Sequence, residues 1–160
     1  MLIGIISDTH DRLERTAQAV NLLHNAQVQA IFHCGDICDH DILALFAGTP
    51  TYFVQGNNDD DASLHQAWKA MEHLRYLELG NIIELEGKKI GITHGHLGRI
   101  TRELLLSEPD YLMSGHTHEA RDAKYNNVRC INPGALHRAS TYSIATLDLI
   151  TDALTFLPIQ

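Results

Sequence analysis

At 160 residues, 44% hydrophobic and 20% charged, the chain has the length and apolar content of one domain with a sizeable core. Its 12 Lys and Arg against 20 Asp and Glu give a net charge of −8, which argues against a broad nucleic-acid footprint or an anionic-membrane surface. Eleven His is a large number for this length, and where they cluster is the main signal.

Leu2–Ile6 is a short continuous apolar run, as expected of a strand covered on both faces. Leu13, Ala17, Val20 and His24 then fall at helical spacing, with Leu23 alongside. Ala30-Ile31-Phe32 predicts a second strand that ends at His33-Cys34-Gly35-Asp36. Ile42 to Phe46 predicts a short helix capped by Asp39. Thr51 to Val54 predicts a third strand ending at Gly56, and Asp59-Asp60-Asp61 a helix start, with Leu64, Trp68 and Met71 on one face. The second half is richer in strands. Ile82 to Leu85 and Ile90 to Ile92 flank Glu86-Gly87 as a hairpin. Leu97 to Leu106 is helix-like, Tyr111 to Met113 and Val128 to Ile131 are strands, and Tyr142 to Leu149 with Leu154 to Leu157 form a last hairpin. No linker divides the halves, so residues 1–160 are expected to form one domain of sheets between helices.

No basic stretch precedes Leu2–Ile6, and Asp8 ends that run far short of a secretory signal. No apolar stretch approaches membrane-spanning length. Cys34, Cys38 and Cys130 are odd in number, and a zinc site would need two more paired ligands that the sequence lacks. A cytoplasmic protein with reduced thiols is expected.

Four polar islands follow apolar runs: Asp8-Thr9-His10, Gly35-Asp36, Gly56-Asn57-Asn58-Asp59, and Thr93-His94-Gly95-His96 with Gly115-His116-Thr117-His118. In open α/β sheets, ligands gather beyond the carboxyl ends of strands. Taken singly, each island has an ordinary reading: a capping Asp, a Gly-Asp turn, a turn into a helix cap. Taken together, in this order, they supply the mixed oxygen and nitrogen donors of a two-metal hydrolytic site.

Asp8-x-His10, Gly35-Asp36, Gly56-Asn57, His94 and Gly115-His116-x-His118, with Ser7 to Asp11 and Ile131-Asn132-Pro133-Gly134, resemble the signature of calcineurin-like metallophosphoesterases. More narrowly, the chain resembles the small microbial phosphodiesterases of that superfamily, from residue 2 to about 148. The resemblance implies a four-layer α/β/β/α sandwich and a dinuclear site whose metal-bound hydroxide attacks a phosphate diester. It places Asp8, His10, Asp36 and His118 on one ion and Asp36, Asn57, His94 and His116 on the other, with Asp36 bridging. Mn is the commonly expected ion, and Ni, Fe, Co or Zn also suit such donors. Two divalent ions held by only two carboxylates keep a net positive charge, so a small phosphate ester is attracted despite the chain's −8.

One departure stands out. Many superfamily members carry a His after Gly-Asn, where this chain has Asn58. An amide hydrogen-bonds a phosphate oxygen but donates no proton at neutral pH. His96 is the nearest alternative acid, and a residue that merely orients or is solvated is an equal reading. Arg138 is a second candidate contact for substrate phosphate, against the plainer reading of a surface Arg. Asp59 and His33 are read as orienting ligand imidazoles. Three functions stay open: a phosphodiesterase, a phosphomonoesterase with the same site, and a non-catalytic scaffold like the retromer subunit of this fold. All seven ligand positions hold competent residues, which counts against the scaffold. The sequence leaves oligomeric state open, a homo-oligomer included.

Overall fold

The computed structural model describes residues 1–39 and 41–160. In chain order the elements are β1 (Leu2–Ile6), α1 (Leu13–Asn25), β2 (Ala30–His33), α2 (Asp41–Ala44), β3 (Thr51–Phe53), α3 (Asp61–Ala70), β4 (Leu74–Tyr76) and β5 (Gly80–Leu85). There follow β6 (Lys88–Thr93), α4 (Gly98–Leu106), β7 (Tyr111–Met113), β8 (Arg121–Tyr125), β9 (Val128–Asn132), β10 (Tyr142–Asp148) and β11 (Leu154–Ile159). One six-stranded sheet runs β11-β10-β1-β2-β3-β4 and one five-stranded sheet runs β5-β6-β7-β9-β8. Both are mixed: β1 to β4 and β6-β7-β9 are parallel, with antiparallel strands outside them.

Strand alternation sorts the core into layers. Ile3, Ile5 and Phe32 face the second sheet and meet Ile90, Ile92, Met113 and Ile131. Ile6 and Ile31 point the other way, onto Val20 and Leu23 of α1 and Phe46 and Leu64 beyond. Leu112 and Val128 cover the far face of the second sheet beneath Leu104 of α4. The result is the expected α/β/β/α layering. Ile3, Ile5 and Phe32 are fully buried, and each contributes roughly 1.5–3 kcal/mol by leaving water.

Local chemistry explains most element ends. Asp60 caps α3, its Oδ2 accepting from Ser63 N–H at 2.9 Å. Glu86 and Gly87 both take positive φ, which suits the tight turn between β5 and β6. Two expectations need correcting, and two strands were not expected. Helix α1 buries Thr16, Ala19, Val20 and Leu23, and Leu13 stays 52% exposed. The helix seats Leu23 in place of the more polar His24, whose Nε2 pairs with Thr49 Oγ1 at 3.1 Å. Helix α2 spans four residues, with the rest of the Ile42 to Phe46 run in turns. Strands β4 and β8 carry no apolar alternation: β4 buries only Leu74, and β8 reads Arg-Asp-Ala-Lys-Tyr. Both are edge strands, where charge is favoured because it discourages further pairing. The two-residue turn Asn126-Asn127 was the available signal for β8.

Candidate metal centre

The two sheets deliver their loops to one edge. In the first sheet Ile6, His33 and Phe53 are register neighbours, so the loops carrying Asp8, Asp36 and Asn57 leave adjacent strands together. In the second sheet Ile92, Met113 and Ile131 are neighbours, and His94, His116 and His118 follow them. Two glycines allow the loops to close up. A Cβ on Gly56 would collide with Asp36 Oδ1, and one on Gly115 with Ser7 Oγ.

All seven residues selected from the sequence converge here. Asp8, His10 and His118 bring one ligand atom each within 4.8 Å of one another, and so do Asp8, Asp36 and His94. Asp8 and His94 are fully buried, and Asp36 is 2% exposed. Asn57 Oδ1 lies 3.2 Å from His94 Nε2, and the His116 ring lies 5.1 Å from that of His94. Five of the seven adopt left-handed backbone: Asp8 (φ 54°), His10 (41°), Asp36 (55°), His116 (69°) and His118 (61°). Such conformations cost of order 1–3 kcal/mol each in a non-glycine residue and collect where the surroundings over-determine them.

The tautomers decide what this cluster holds. His94 Nδ1–H donates to Cys34 O at 2.8 Å, which leaves the Nε2 lone pair facing Asp36 Oδ2 at 3.4 Å. His118 Nδ1–H donates to Arg138 O at 3.4 Å and turns Nε2 toward Asp8 Oδ1 at 3.0 Å. His10 Nε2 faces Asp36 Oδ2 at 3.3 Å and Asp8 Oδ1 at 3.9 Å. Asp8 Oδ1 and His10 Nε2 are buried with no hydrogen-bond partner among the described residues. Acceptors aimed at one another in a buried space are what a divalent cation reconciles, so the donor set fits such ions. Burial pushes Asp36 up. With a proton on Nε2 in place of a cation, His10 and His94 would instead donate to Asp36 alongside Asn58, and these bonds outweigh burial and hold the carboxyl well below the usual range. Burial works to lower His94, but hydrogen bonding to Asp36 and its charge raise the imidazole above its ordinary value.

The neighbours take other roles than expected. Asn58 is spent on Asp36: its backbone N–H donates to Oδ1 at 2.9 Å and its Nδ2 to Oδ2 at 2.7 Å. Asp59 orients no imidazole. Its Oδ2 accepts from Asp36 and Gly56 N–H at 2.9 and 2.7 Å, and its Oδ1 from Ile37 and Cys38 N–H, both at 2.7 Å. His33 also holds loops: Nδ1 accepts from Gly35 N–H at 3.2 Å, so Nε2–H donates to Thr9 Oγ1 at 3.1 Å. Burial, then the charge of His94, push its pKa down to about 3. The His96 ring lies 5.3 Å from His94 and 6.2 Å from His116, and burial and those two neighbours lower its pKa. Arg138 is exposed at the rim.

A family model for the calcineurin-like phosphoesterase superfamily domain matches residues 1–152. The chain belongs to that superfamily. It is 30% identical over 138 residues to phosphodiesterase MJ0936 of Methanocaldococcus jannaschii, covering 84% of this chain and 83% of that one. The solved structure of an archaeal phosphodiesterase superposes with a TM-score of 0.90 at 28% identity, covering 99% of each chain. The phosphoesterase YfcE of E. coli, at 17% identity and TM-score 0.72 over the whole of both chains, shares the fold.

Within this calcineurin-like frame, two neighbours of the candidate ligands were read otherwise or passed over in the sequence. Cys38, read as an ordinary reduced thiol, places Sγ 3.5 Å from His10 Nδ1. His137 stacks obliquely on His10, with ring centroids 4.8 Å apart, and its Nδ1 accepts from Arg12 Nε–H at 3.1 Å. The one signal for His137 was its place shortly after Asn132-Pro133-Gly134.

Proposed function

We propose that this chain is a metal-dependent phosphodiesterase with two divalent ions, manganese foremost. The observation that carries the reading is the position of Asp36 Oδ2, 3.3 Å from His10 Nε2 and 3.4 Å from His94 Nε2. One carboxylate oxygen thus stands between two imidazoles that point away from their own hydrogen-bond partners. Asp8, His10, Asp36 and His118 form one ligand group, and Asp36, Asn57, His94 and His116 the other. By proximity alone Asp8 is common to both clusters. We take Asp36 as the shared ligand because its Oδ2 faces one imidazole of each group, His10 and His94, whereas Asp8 Oδ1 faces His10 and His118 of a single group. Bound ions would polarise phosphoryl oxygens and acidify a water in line with the leaving group.

The chain's own residues prepare that site. Cys34 O and Arg138 O hold His94 and His118 with Nε2 inward. Asn58 fixes both oxygens of Asp36, and its amide reaches substrate only by giving up the 2.7 Å contact. His96, kept neutral by burial and its His neighbours, is suited to donate a hydrogen bond to a phosphoryl oxygen. Arg138 offers a guanidinium at the rim. A diester is favoured over a monoester because a monoanion balances the residual positive charge, and because the archaeal relative is named a phosphodiesterase. Three unpaired cysteines suit a reducing, cytoplasmic setting. No helix among the described residues is long and apolar enough to cross a membrane.

The test is hydrolysis of bis-p-nitrophenyl phosphate beside p-nitrophenyl phosphate after reconstitution with each divalent metal, with and without chelator. Chelator-sensitive diester turnover above monoester turnover is expected. The reverse order makes the protein a phosphomonoesterase, and no turnover with any metal makes it a scaffold.

A further inference from the structure

Beside the Asp8–His10–His118 end of the centre lies a basic rim that the ligand set does not use. Arg12 Nε–H donates to His137 Nδ1 at 3.1 Å, which makes Nε2 the ring's N–H, with no hydrogen-bond partner among the described residues. The same contact orients the Arg12 guanidinium and leaves its two terminal nitrogens unspent. Arg138 follows at once in the chain, in left-handed backbone (φ 47°). The loop is fastened at three points, two of them on candidate ligands. Leu136 N–H donates to Asp8 O at 3.2 Å, Arg15 Nη1 donates to Leu136 O at 2.6 Å, and Arg138 O accepts from His118. Neither Arg12 nor Arg138 has a carboxylate within ion-pair distance among the described residues. Arg99 and Arg129, by contrast, are matched by Glu103 and by Asp122 and Asp152. In a chain of net charge −8, the Arg12 guanidinium held on His137 and the exposed Arg138 beside it in the chain put two positive charges at one end of the candidate centre, a local reversal of sign.

A phosphate ester seated at the centre must direct its substituents toward the rims. We infer that Arg12, His137 and Arg138 form an anion subsite that takes a second anionic group, a phosphate or a carboxylate, carried on the substituent of the phosphate ester. The inference rests on the phosphodiesterase reading for the seat of the first phosphate. It differs from that reading in giving these three residues the substituent and not the reacting phosphorus. A planar guanidinium meets either group with paired N–H donors.

Binding separates the two ideas, because dialkyl phosphates turn over too slowly to disturb it. The manganese-loaded protein is titrated calorimetrically with methyl 2-carboxyethyl phosphate and with its carboxamide, which has the same shape without the second charge. The acid is expected to bind about tenfold tighter, the effect of one added charge-assisted contact. A third probe with a phosphate in place of the carboxylate shows which anion the rim prefers. In Arg12→Gln/Arg138→Gln the acid-to-amide ratio is expected to fall to near one, whatever the absolute affinities. Should that variant not fold, the wild-type ratio still decides. Equal binding of acid and amide by the wild type, or a ratio unchanged in the folded double variant, overturns the subsite. Discrimination without hydrolysis of bis-p-nitrophenyl phosphate keeps the subsite and removes the phosphodiesterase reading. Hydrolysis without discrimination does the opposite.

Discussion

Asp59 is the residue on which the geometry of Asp36 most depends. Its two oxygens accept four backbone N–H groups, from Asp36, Ile37, Cys38 and Gly56, at 2.7–2.9 Å. Asp59→Asn keeps the shape but leaves one acceptor oxygen. Its new amide nitrogen then faces two N–H donors that have no other partner. Each unsatisfied buried donor costs about 1–3 kcal/mol, giving about 2–6 kcal/mol for the pair. Burial opposes this, because it pushes the Asp59 carboxyl up against those same donors and so makes the wild-type charge costly. A net loss of about 3 kcal/mol is the working value, which for a chain of this length is a fall in Tm of roughly 6–12 °C. Thermal unfolding of chelator-treated protein, followed by circular dichroism, measures it. Asp60→Asn is the control, since that cap is exposed and an Asn caps nearly as well. A fall of less than 2 °C for Asp59→Asn would refute the claim that this carboxylate organises the loop.

Two further outcomes follow. Asp36→Asn is expected to lower bound metal from two ions per chain to one or none by mass spectrometry. Hydrolysis should drop by more than the 10- to 100-fold typical of an outer-sphere partner, since Asp36 Oδ2 faces both His10 and His94. Full activity with two ions retained would end its role as the shared ligand. His33 is neutral in the fold, with a pKa of about 3 against an ordinary 6.5. Between those values the unfolded chain takes up a proton that the folded chain refuses, so stability is lost as pH falls from 6.5 toward 3. At pH 5 that loss is about 2 kcal/mol. Urea unfolding of the chelator-treated protein should therefore weaken from pH 7 to pH 5 by about 2 kcal/mol less in His33→Asn than in wild type, and an equal loss in both would refute the assignment.

What the sequence made legible, it did through the strands. Asp8, Asp36, Asn57, His94, His116 and His118 each follow an apolar run, and parallel register brings those runs to one edge. Strand β8 was hidden because an edge strand of alternating charge has no apolar face to betray it. Asp59 and His33 were misread for a different reason. Their partners lie in other loops: Asp59 meets Asp36 and its neighbours across 21–23 residues, and His33 meets Thr9 across 24. No local pattern encodes such a meeting. The left-handed backbone of five candidate ligands was hidden too, since Asp and His visit it more often than most residues but only in a minority of cases, and the surrounding structure decides which.

Asn58 shows how far residue type alone can carry a functional argument. Taken as a missing His, it leaves a gap where a proton donor would stand. In the structure it closes both oxygens of Asp36, one by backbone and one by side chain. An amide suits that task because it donates without a charge that would compete with cations for the same carboxylate. The position therefore serves Asp36 first. With Asn58 committed to Asp36, the proposed contacts for distinguishing one ester from another are those of the rim, Arg12, His137 and Arg138 at one end and His96 at the other.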